Sequence, residues 1–274
     1  MRRLSLVALL LCLSGAAAAQ TLPPEILAAK KIKVGTTATY PPMESHDPKT
    51  GELVGFDIDL GNAIAKQLGV VLEWQDTSFA QLTPSAASGR VDMVMSAISD
   101  LPIRWEQLDL VDYIVSGSQF YALAKSDWIK SLDDLCGKKI GTVRSNSFPA
   151  DITKWSAANC EGKGKSPMTV VGVDRMPLLV TEFQQGRIDA GVRSMNTMPP
   201  LMQEQPGLYK LVGEPITRVV QGIGFAKGNT QLRHAALVAL QQLFADGTYT
   251  KLLQKWDLER SAVAAPTVNT KPVP

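Results

Sequence analysis

Gly89-Arg90-Val91-Asp92-Met93 and Gly186-Arg187-Ile188-Asp189-Ala190 carry one pattern twice: a glycine able to end a helix, then an apolar run that opens a strand. Upstream of each stands a second matching pair, Ile32-Lys33-Val34-Gly35-Thr36 and Lys139-Ile140-Gly141-Thr142. The offsets, 97 and 106 residues, are close, so the chain reads as two lobes of similar build, each about 100 residues long. One helix–glycine–strand turn is commonplace. Two echoes in the same order point to a repeated architecture.

The stretches around the echoes fill in the fold class. Ile32 to Thr36 alternates like a strand with one wet face. Asp57 can cap a helix that carries Leu60, Ile64 and Leu68 on one side and stops at Gly69. Val70 to Trp74 and Val91 to Ile98 are β-rich. Strands alternating with amphipathic helices predict an α/β fold whose sheets are largely parallel. Leu232, Ala236, Leu240 and Leu243 fall at helical spacing, Gly247 ends that run, and Thr248 to Trp256 reads as a shorter helix. From Ser261 to Pro274 the residues are small, proline-containing and aperiodic, which predicts a disordered tail over 261–274.

The first residues read as an address. Met1-Arg2-Arg3 is basic, Leu4 to Leu13 is apolar, and Ala16 to Ala19 offers a small-residue cleavage site, the signature of a secretory signal peptide over 1–19. Ten apolar residues fall short of the roughly 20 that a membrane-spanning helix needs. The 274-residue chain has 28 Lys+Arg against 26 Asp+Glu; cleavage removes Arg2 and Arg3 and no acid, leaving 26 of each sign. A neutral mature chain without a basic block argues against a nucleic-acid partner. Two histidines, His46 and His234, and scattered cysteines argue against a metal site, and no cofactor motif stands out. Export also sorts the cysteines: Cys12 leaves with the signal, and Cys136 and Cys160 remain as one pair in an oxidising compartment. Bridging a loop of 24 residues is worth about 3 kcal/mol in the chain-entropy model.

No catalytic signature is present: there is no G-x-S-x-G, no H-E-x-x-H, no P-loop, and the lone Gly222-Ile223-Gly224 lies inside a strand-like run. Thr39-Tyr40-Pro41-Pro42-Met43 followed by Gly51-Glu52-Leu53-Val54-Gly55-Phe56-Asp57-Ile58-Asp59-Leu60 resembles the opening of bacterial extracellular solute-binding proteins of family 3, the polar amino-acid type that serves ABC importers. Met95-Ser96-Ala97-Ile98-Ser99 with Arg104, the two G-R-x-D runs, and Gly222-Ile223-Gly224-Phe225 with Asp246-Gly247-Thr248-Tyr249 continue the resemblance, from about Ile32 to Trp256. It implies a type II periplasmic-binding-protein fold: two α/β lobes with mixed, mostly parallel sheets, joined by crossovers near Ser118–Ala122 and Val219–Ile223. Lobe one is then 20–118 plus 222–260 and lobe two 119–221.

The resemblance also implies a function and a site. The chain would be a monomeric periplasmic receptor, not an enzyme, that closes on a small carboxylate-bearing solute and delivers it to an inner-membrane ABC permease. Arg104 matches the arginine that takes the ligand carboxylate, a task suited to a guanidinium fork. Ser96, Ala97 and Ser99 match donors of backbone and hydroxyl hydrogen bonds, and Tyr40 and Phe79 match aromatic walls. Ser145, Asn146 and Ser147 occupy a strand-to-helix turn favourable to an anion. Binders of α-amino acids in this family usually carry an acid for the ammonium; the matching positions here are Ser194, beside Arg193, and Thr37. Three readings stay open: another acid substitutes, the alignment slips by a few residues, or the ligand is an oxo or dicarboxylic acid, which Arg144 and Arg193 would suit. Two other functions share the fold, a cyclohexadienyl or prephenate dehydratase and an accessory or sensor binding protein. The enzyme's catalytic acid would align near Thr197.

Overall fold

The computed structural model describes residues 22–272, so the signal peptide read from residues 1–19 lies outside the described residues. In chain order the elements are α1 (Pro24–Ala29), β1 (Lys31–Thr36), β2 (Thr39–Tyr40), β3 (Glu44–His46), β4 (Leu53–Val54), α2 (Phe56–Leu68), β5 (Val71–Asp76), α3 (Phe79–Ala87), β6 (Met93–Ser99), β7 (Leu108–Ser116) and β8 (Ser118–Leu123). There follow β9 (Lys139–Val143), α4 (Phe148–Asn159), β10 (Thr169–Val173), α5 (Pro177–Gln184), β11 (Ala190–Ser194), α6 (Met198–Glu204), β12 (Tyr209–Val212), β13 (Val219–Ala226), α7 (Thr230–Ala245), α8 (Thr248–Lys255), β14 (Thr267–Val268) and β15 (Lys271–Pro272).

Two larger sheets organise the chain. One runs β15-β14-β7-β13-β6-β1-β5, the other β10-β9-β11-β8-β12, and β2-β3-β4 forms a small third sheet. Both large sheets hold the same three-strand parallel unit: β1 lies between β5 and β6, and β9 lies between β10 and β11. The remaining pairings in both are antiparallel, so the sheets are mixed and less parallel than the strand–helix alternation suggested. The reason is topological: strands that pass between the sheets run back through each of them.

The repeated sequence pattern has one structural cause. Gly89 and Gly186 both adopt left-handed backbone, at φ 72° and 64°, ending α3 and the turn after α5. The aspartate three residues on then grips the start of the central strand. Lys33 N–H donates to Asp92 Oδ2 at 2.7 Å, and Lys139 N–H donates to Asp189 Oδ2 at 2.9 Å. In return each aspartate's own N–H donates to the same lysine's carbonyl, at 2.9 Å in both cases. The G-R-x-D run is thus a clamp between a helix end and the central strand.

Helix α2 ends at Gly69 as the periodicity predicts, with φ 67°. Its buried Leu60 and Ile64 pack with Leu232, Ala236 and Leu240 of α7 in the largest apolar cluster. The five-stranded sheet has its own core around Phe120, Ile140, Ile152 and Val192. Cys136 and Cys160 are joined by a disulfide between Cα atoms 5.5 Å apart. The bond ties the turn before β9 to the end of α4, and Cys160 is fully buried in that core.

The chain leaves the seven-stranded sheet at Ser116, enters the five-stranded one at Ser118, and returns between Val212 and Val219. The two connections touch: Ser118 N–H donates to Thr217 Oγ1 at 2.9 Å and Ile216 N–H to Ser118 O at 2.9 Å. Gly117 sits where they meet. A Cβ there would lie 2.1 Å from Thr217 O, so only glycine allows this approach.

The expected disordered tail over 261–274 is corrected as far as it is described. Residues 267–272 form a hairpin, β14 and β15, that pairs with β7. Polar side chains rather than apolar periodicity hold it, which is why no periodic signal announced it. The Thr267 hydroxyl and the Thr270 N–H donate to Asp112 Oδ2, the latter at 3.1 Å. Asn269 accepts from Leu110 N–H at 2.9 Å and donates to Asp109 at 3.0 Å.

Asp112 is fully buried, and burial pushes its carboxyl up to about 8, helped by the neighbouring Asp100 and opposed by the Thr267 hydroxyl. The folded chain therefore keeps a proton that the unfolded chain has lost. Stability from this group is complete below about pH 4 and falls as pH rises to about 8. Asp112→Asn is expected to flatten that decline, read as the difference between melting temperatures in acidic and mildly alkaline buffer. Gly117→Ala forces the two connections apart and is expected to cost roughly 1–3 kcal/mol, measured by thermal or urea denaturation.

Candidate ligand-binding site

The carboxyl ends of the parallel strands of both sheets face one cleft of about 580 Å³, counting the part open to solvent. Open α/β sheets bind ligands at this place because loops, not helices, cover the strand ends. Thr37 follows β1, Phe79 follows β5, and Ser96, Ala97 and Ser99 end β6. From the other sheet come Val143 at the end of β9, Asn146 and Ser147 after it, and Asp174, Arg175 and Met176 after β10. Of the residues expected from sequence, Tyr40, Phe79, Ser96, Ala97, Ser99, Arg104, Asn146 and Ser147 line this cleft. Ser145 and Ser194 do not.

Arg104 closes the short helical turn Pro102–Arg104. Its Nη1 donates to Ser99 O, and its guanidinium lies 5.8 Å from the centre of the Phe79 ring. It forms no ion pair among the described residues. Burial draws its pKa down, against the pull of Asp100. A partly buried guanidinium braced by a carbonyl and a ring, with donors to spare, suits a planar anion.

Asn146 and Ser147 form the entry to α4. Asn146 Oδ1 accepts from Phe148 N–H at 3.0 Å, and Pro149 stands in the first turn where its missing N–H costs nothing. The amides of that first turn leave the helix N-terminus electropositive toward the cleft.

The floor of the cleft rests on Asp57. The sequence suggested that Asp57 caps α2, but Gly55 is the N-cap and no side chain caps the helix. Asp57 is fully buried: Oδ1 accepts from the Tyr113 hydroxyl at 2.7 Å and Oδ2 from Ala97 N–H at 2.9 Å. Asp59 instead reaches α8, accepting from Lys255 Nζ and Trp256 Nε1 at 2.7 Å each. Ala97 sits at φ 46°, a left-handed conformation costly for a residue with a side chain. Its N–H is committed to Asp57 and its carbonyl accepts from Gln221 Nε2 at 2.7 Å. Ala97 therefore shapes the cleft here rather than donating into it.

Glu44 is the acid that sequence reasoning missed. It lies on β3, fully buried, on the cleft lining, and Oε1 accepts from the Ser96 hydroxyl at 2.6 Å. Burial pushes its carboxyl well above the usual range and the Asp57 charge adds to this, while the Ser96 hydroxyl pulls it back. Burial also raises Asp57, to about 6, against the hydrogen bonds from Tyr113 and Ala97. The only sequence hint was an acid two residues beyond Pro42. Asp174, also missed, is exposed and paired with Arg144 at 2.8 Å.

Ser194 is buried between the sheets, off the cleft lining. Its N–H donates to the Tyr40 hydroxyl at 3.3 Å, and its Oγ lies 2.5 Å from Ser116 Oγ. Tyr40, from the first sheet's side, packs against the cores of both sheets, so it is both a cleft wall and a bridge. Arg193 is buried with its Nε donating to Thr197 Oγ1 at 2.6 Å. Among the described residues no group of histidine, cysteine or carboxylate side chains is arranged to hold a metal ion.

Residues 32–259 match the bacterial extracellular solute-binding proteins of family 3. The lysine/arginine/ornithine-binding periplasmic protein of Escherichia coli K12 is 29% identical over 258 residues, 91% of this chain and 94% of that one. Among solved structures, an ancestral arginine-binding protein bound to arginine superposes with a TM-score of 0.75 at 33% identity, covering 83% of this chain and 98% of that chain. An ancestral amino acid-binding protein, a precursor of cyclohexadienyl dehydratase, gives 0.75 at 28% identity, covering 85% and 97%. Asp57→Ala is expected to leave the Ala97 N–H and Tyr113 hydroxyl unpaired, costing roughly 1–3 kcal/mol for each buried donor. Denaturant melts of the variant and the parent chain measure that loss.

Proposed function

The chain belongs to the bacterial extracellular solute-binding proteins, family 3, with the type II periplasmic-binding-protein fold of its structural neighbours, and on that premise we propose that it is a periplasmic receptor for a small carboxylate-bearing solute. The observation that carries this reading is Arg104, a guanidinium on the cleft lining without an ion pair among the described residues. Ser99, which shares the lining and whose carbonyl braces Arg104, and the α4 N-terminus opposite add donors for the same anion. The aromatic walls Tyr40 and Phe79 would flank the rest of the ligand.

The lining is drawn from both sheets, so a ligand touching both favours whichever arrangement brings them together. The closed form would then be recognised by the permease of an ABC importer. Periplasmic relatives support that location, and a chain acting alone as a monomer suffices for it. A receptor without a transporter, feeding a sensor instead, is separated by the neighbouring genes: permease and ATPase genes support import.

An enzymatic reading draws on the dehydratase precursor among the structural neighbours. Thr197, at the position where the resemblance puts the enzyme's acid, has its hydroxyl donating to Ser194 O at 2.8 Å and accepting from Arg193. A hydroxyl so engaged is a poor general acid. Incubation with prephenate is expected to give no turnover, and measurable product would reverse the assignment.

Arg104→Ala is expected to abolish most ligand affinity while the fold survives. Losing one partner of a desolvated charge pair costs about 2–5 kcal/mol, at least thirtyfold in Kd. Calorimetry with a ligand first found by thermal shift measures this; a true ligand at 100 times its Kd adds about 2.7 kcal/mol of stability. Unchanged affinity in the variant would defeat the reading.

A further inference from the structure

Asp100 and Asp112 are both buried, and each keeps one carboxyl oxygen, Asp100 Oδ2 and Asp112 Oδ1, without a donor among the described residues. Their other oxygens are in use. Asp100 Oδ1 accepts from Trp105 Nε1, and Asp112 Oδ2 accepts from the Thr267 hydroxyl and the Thr270 N–H. The two side chains meet across β13, whose Gly222 lies opposite both Asp112 of β7 and Ile98 of β6. A Cβ at Gly222 would stand 3.0 Å from Asp112 Oδ1, so the glycine leaves the room in which the carboxyls approach. A carboxylate only accepts, and two of them facing each other in a buried place repel. One proton between them removes both costs: it turns one oxygen into a donor and halves the charge.

We propose that Asp100 and Asp112 share one proton and together act as the positioning pair for Arg104, so that losing the proton weakens the cleft's hold on a carboxylate. The inference rests on the receptor reading above and adds a control on its anion-binding side. Asp100 N–H donates to Val220 O at 2.8 Å, which fixes the start of the Arg104 turn on β13. The Asp100 carboxyl holds Trp105, the residue that follows Arg104. Between these two anchors, Arg104 N–H donates to Leu101 O at 2.8 Å and its guanidinium to Ser99 O. Asp112 fastens the C-terminal hairpin from the other side. The pair thus joins the turn, β13 and the hairpin at one buried point, off the cleft lining.

Binding should then be linked to that proton. Burial raises the Asp112 carboxyl to about 8, with the hydrogen bond to Asp100 and its charge adding and the Thr267 hydroxyl opposing. The Asp100 charge also reaches Arg104, where it opposes the effect of burial. Helix α3, which covers this face with Leu82 beside Ile98 and Leu110, has no titratable side chain, and neither has β13. On β7, Asp109 is paired with Lys227 and Arg233 and Tyr113 turns to Asp57, while Lys271 of the hairpin is exposed. Below about pH 8 the pair carries one negative charge, and above it two. The second charge offsets the Arg104 guanidinium and drives the carboxyls apart, loosening the hold on Trp105. A bound carboxylate therefore favours the protonated pair. Affinity falls as pH rises through about 8, and binding there takes up a proton.

The test starts with NMR, which needs no ligand. The Trp105 indole N–H resonance, assigned by its loss in Trp105→Phe, is expected to titrate near pH 8 in the parent chain and to stay level in Asp112→Asn. The asparagine amide donates to Asp100 as the shared proton does and cannot ionise. Calorimetry then follows whichever of the twenty standard L-amino acids and succinate binds tightest at pH 7. Its affinity for the parent, read against Asp112→Asn to cancel the probe's own titration, is expected to fall roughly threefold or more between pH 7 and pH 9. Asp100→Asn carries the same comparison if Asp112→Asn does not fold. A parent resonance that ignores pH overturns the shared proton. Affinities that fall alike in parent and variant overturn the positioning role while leaving the receptor reading intact. A cleft that binds none of these probes defeats the receptor reading instead.

Discussion

A buried carboxylate on the first turn of a helix holds the ligand cleft in shape. Asp57 takes the Ala97 N–H on one oxygen and the Tyr113 hydroxyl on the other, joining α2, β6 and β7 at one fully buried point. Ala97 has left-handed backbone, and a strained residue persists only where its surroundings over-determine it. Gln221 completes that constraint from β13 by donating to the Ala97 carbonyl. The bend so fixed turns Ser96 toward Glu44 and sets Ser99 beside Arg104. Gly55 makes the arrangement possible: at φ 142° its missing Cβ would fall 2.1 Å from Met43 O, and the chain there passes directly over the segment that carries Glu44.

The same economy appears where the sheets meet. Ser116, Ser194, Asn196 and Ser261 form a buried chain of hydrogen bonds: Asn196 Nδ2 donates to Val115 O at 3.0 Å, and Ser261 Oγ to Asn196 Oδ1 at 2.8 Å. Short hydroxyls can exchange partners with little rearrangement, unlike interlocked apolar side chains. The disulfide lies within the five-stranded sheet's own territory, and Tyr40 is the ring that packs against the apolar cores of both sheets.

Much of the cleft was legible because single residues announce their chemistry. Arg104 is recognisable as an anion ligand, Tyr40 and Phe79 as rings, and Asn146 and Ser147 as a helix entry, and all line the cleft. Glu44 was not legible. An acid in a Pro-rich stretch reads as solvated, and only the packing of β3 against α2, with Ser96 of β6 at the carboxyl, buries it. Ser194 misled for the opposite reason: its position in the sequence pattern matched a ligand-binding acid, but its short side chain is satisfied by Ser116 before it reaches the cleft. The terminal hairpin escaped because Thr267 and Asn269 bind Asp112 and Asp109 across more than 150 residues of sequence, which no local period records.

The sequence by itself determined the repeated unit, its strands and helices, and the paired cysteines, because these depend on local periods, on glycines that end helices and on a simple count. It also placed a guanidinium, Arg104, on the cleft lining. The tertiary structure alone decided which acids are buried and therefore which can face a ligand. Burial is a property of everything packed around a group, and the ionisation of Glu44, Asp57 and Asp112 follows from that packing and not from the residues beside them in the chain.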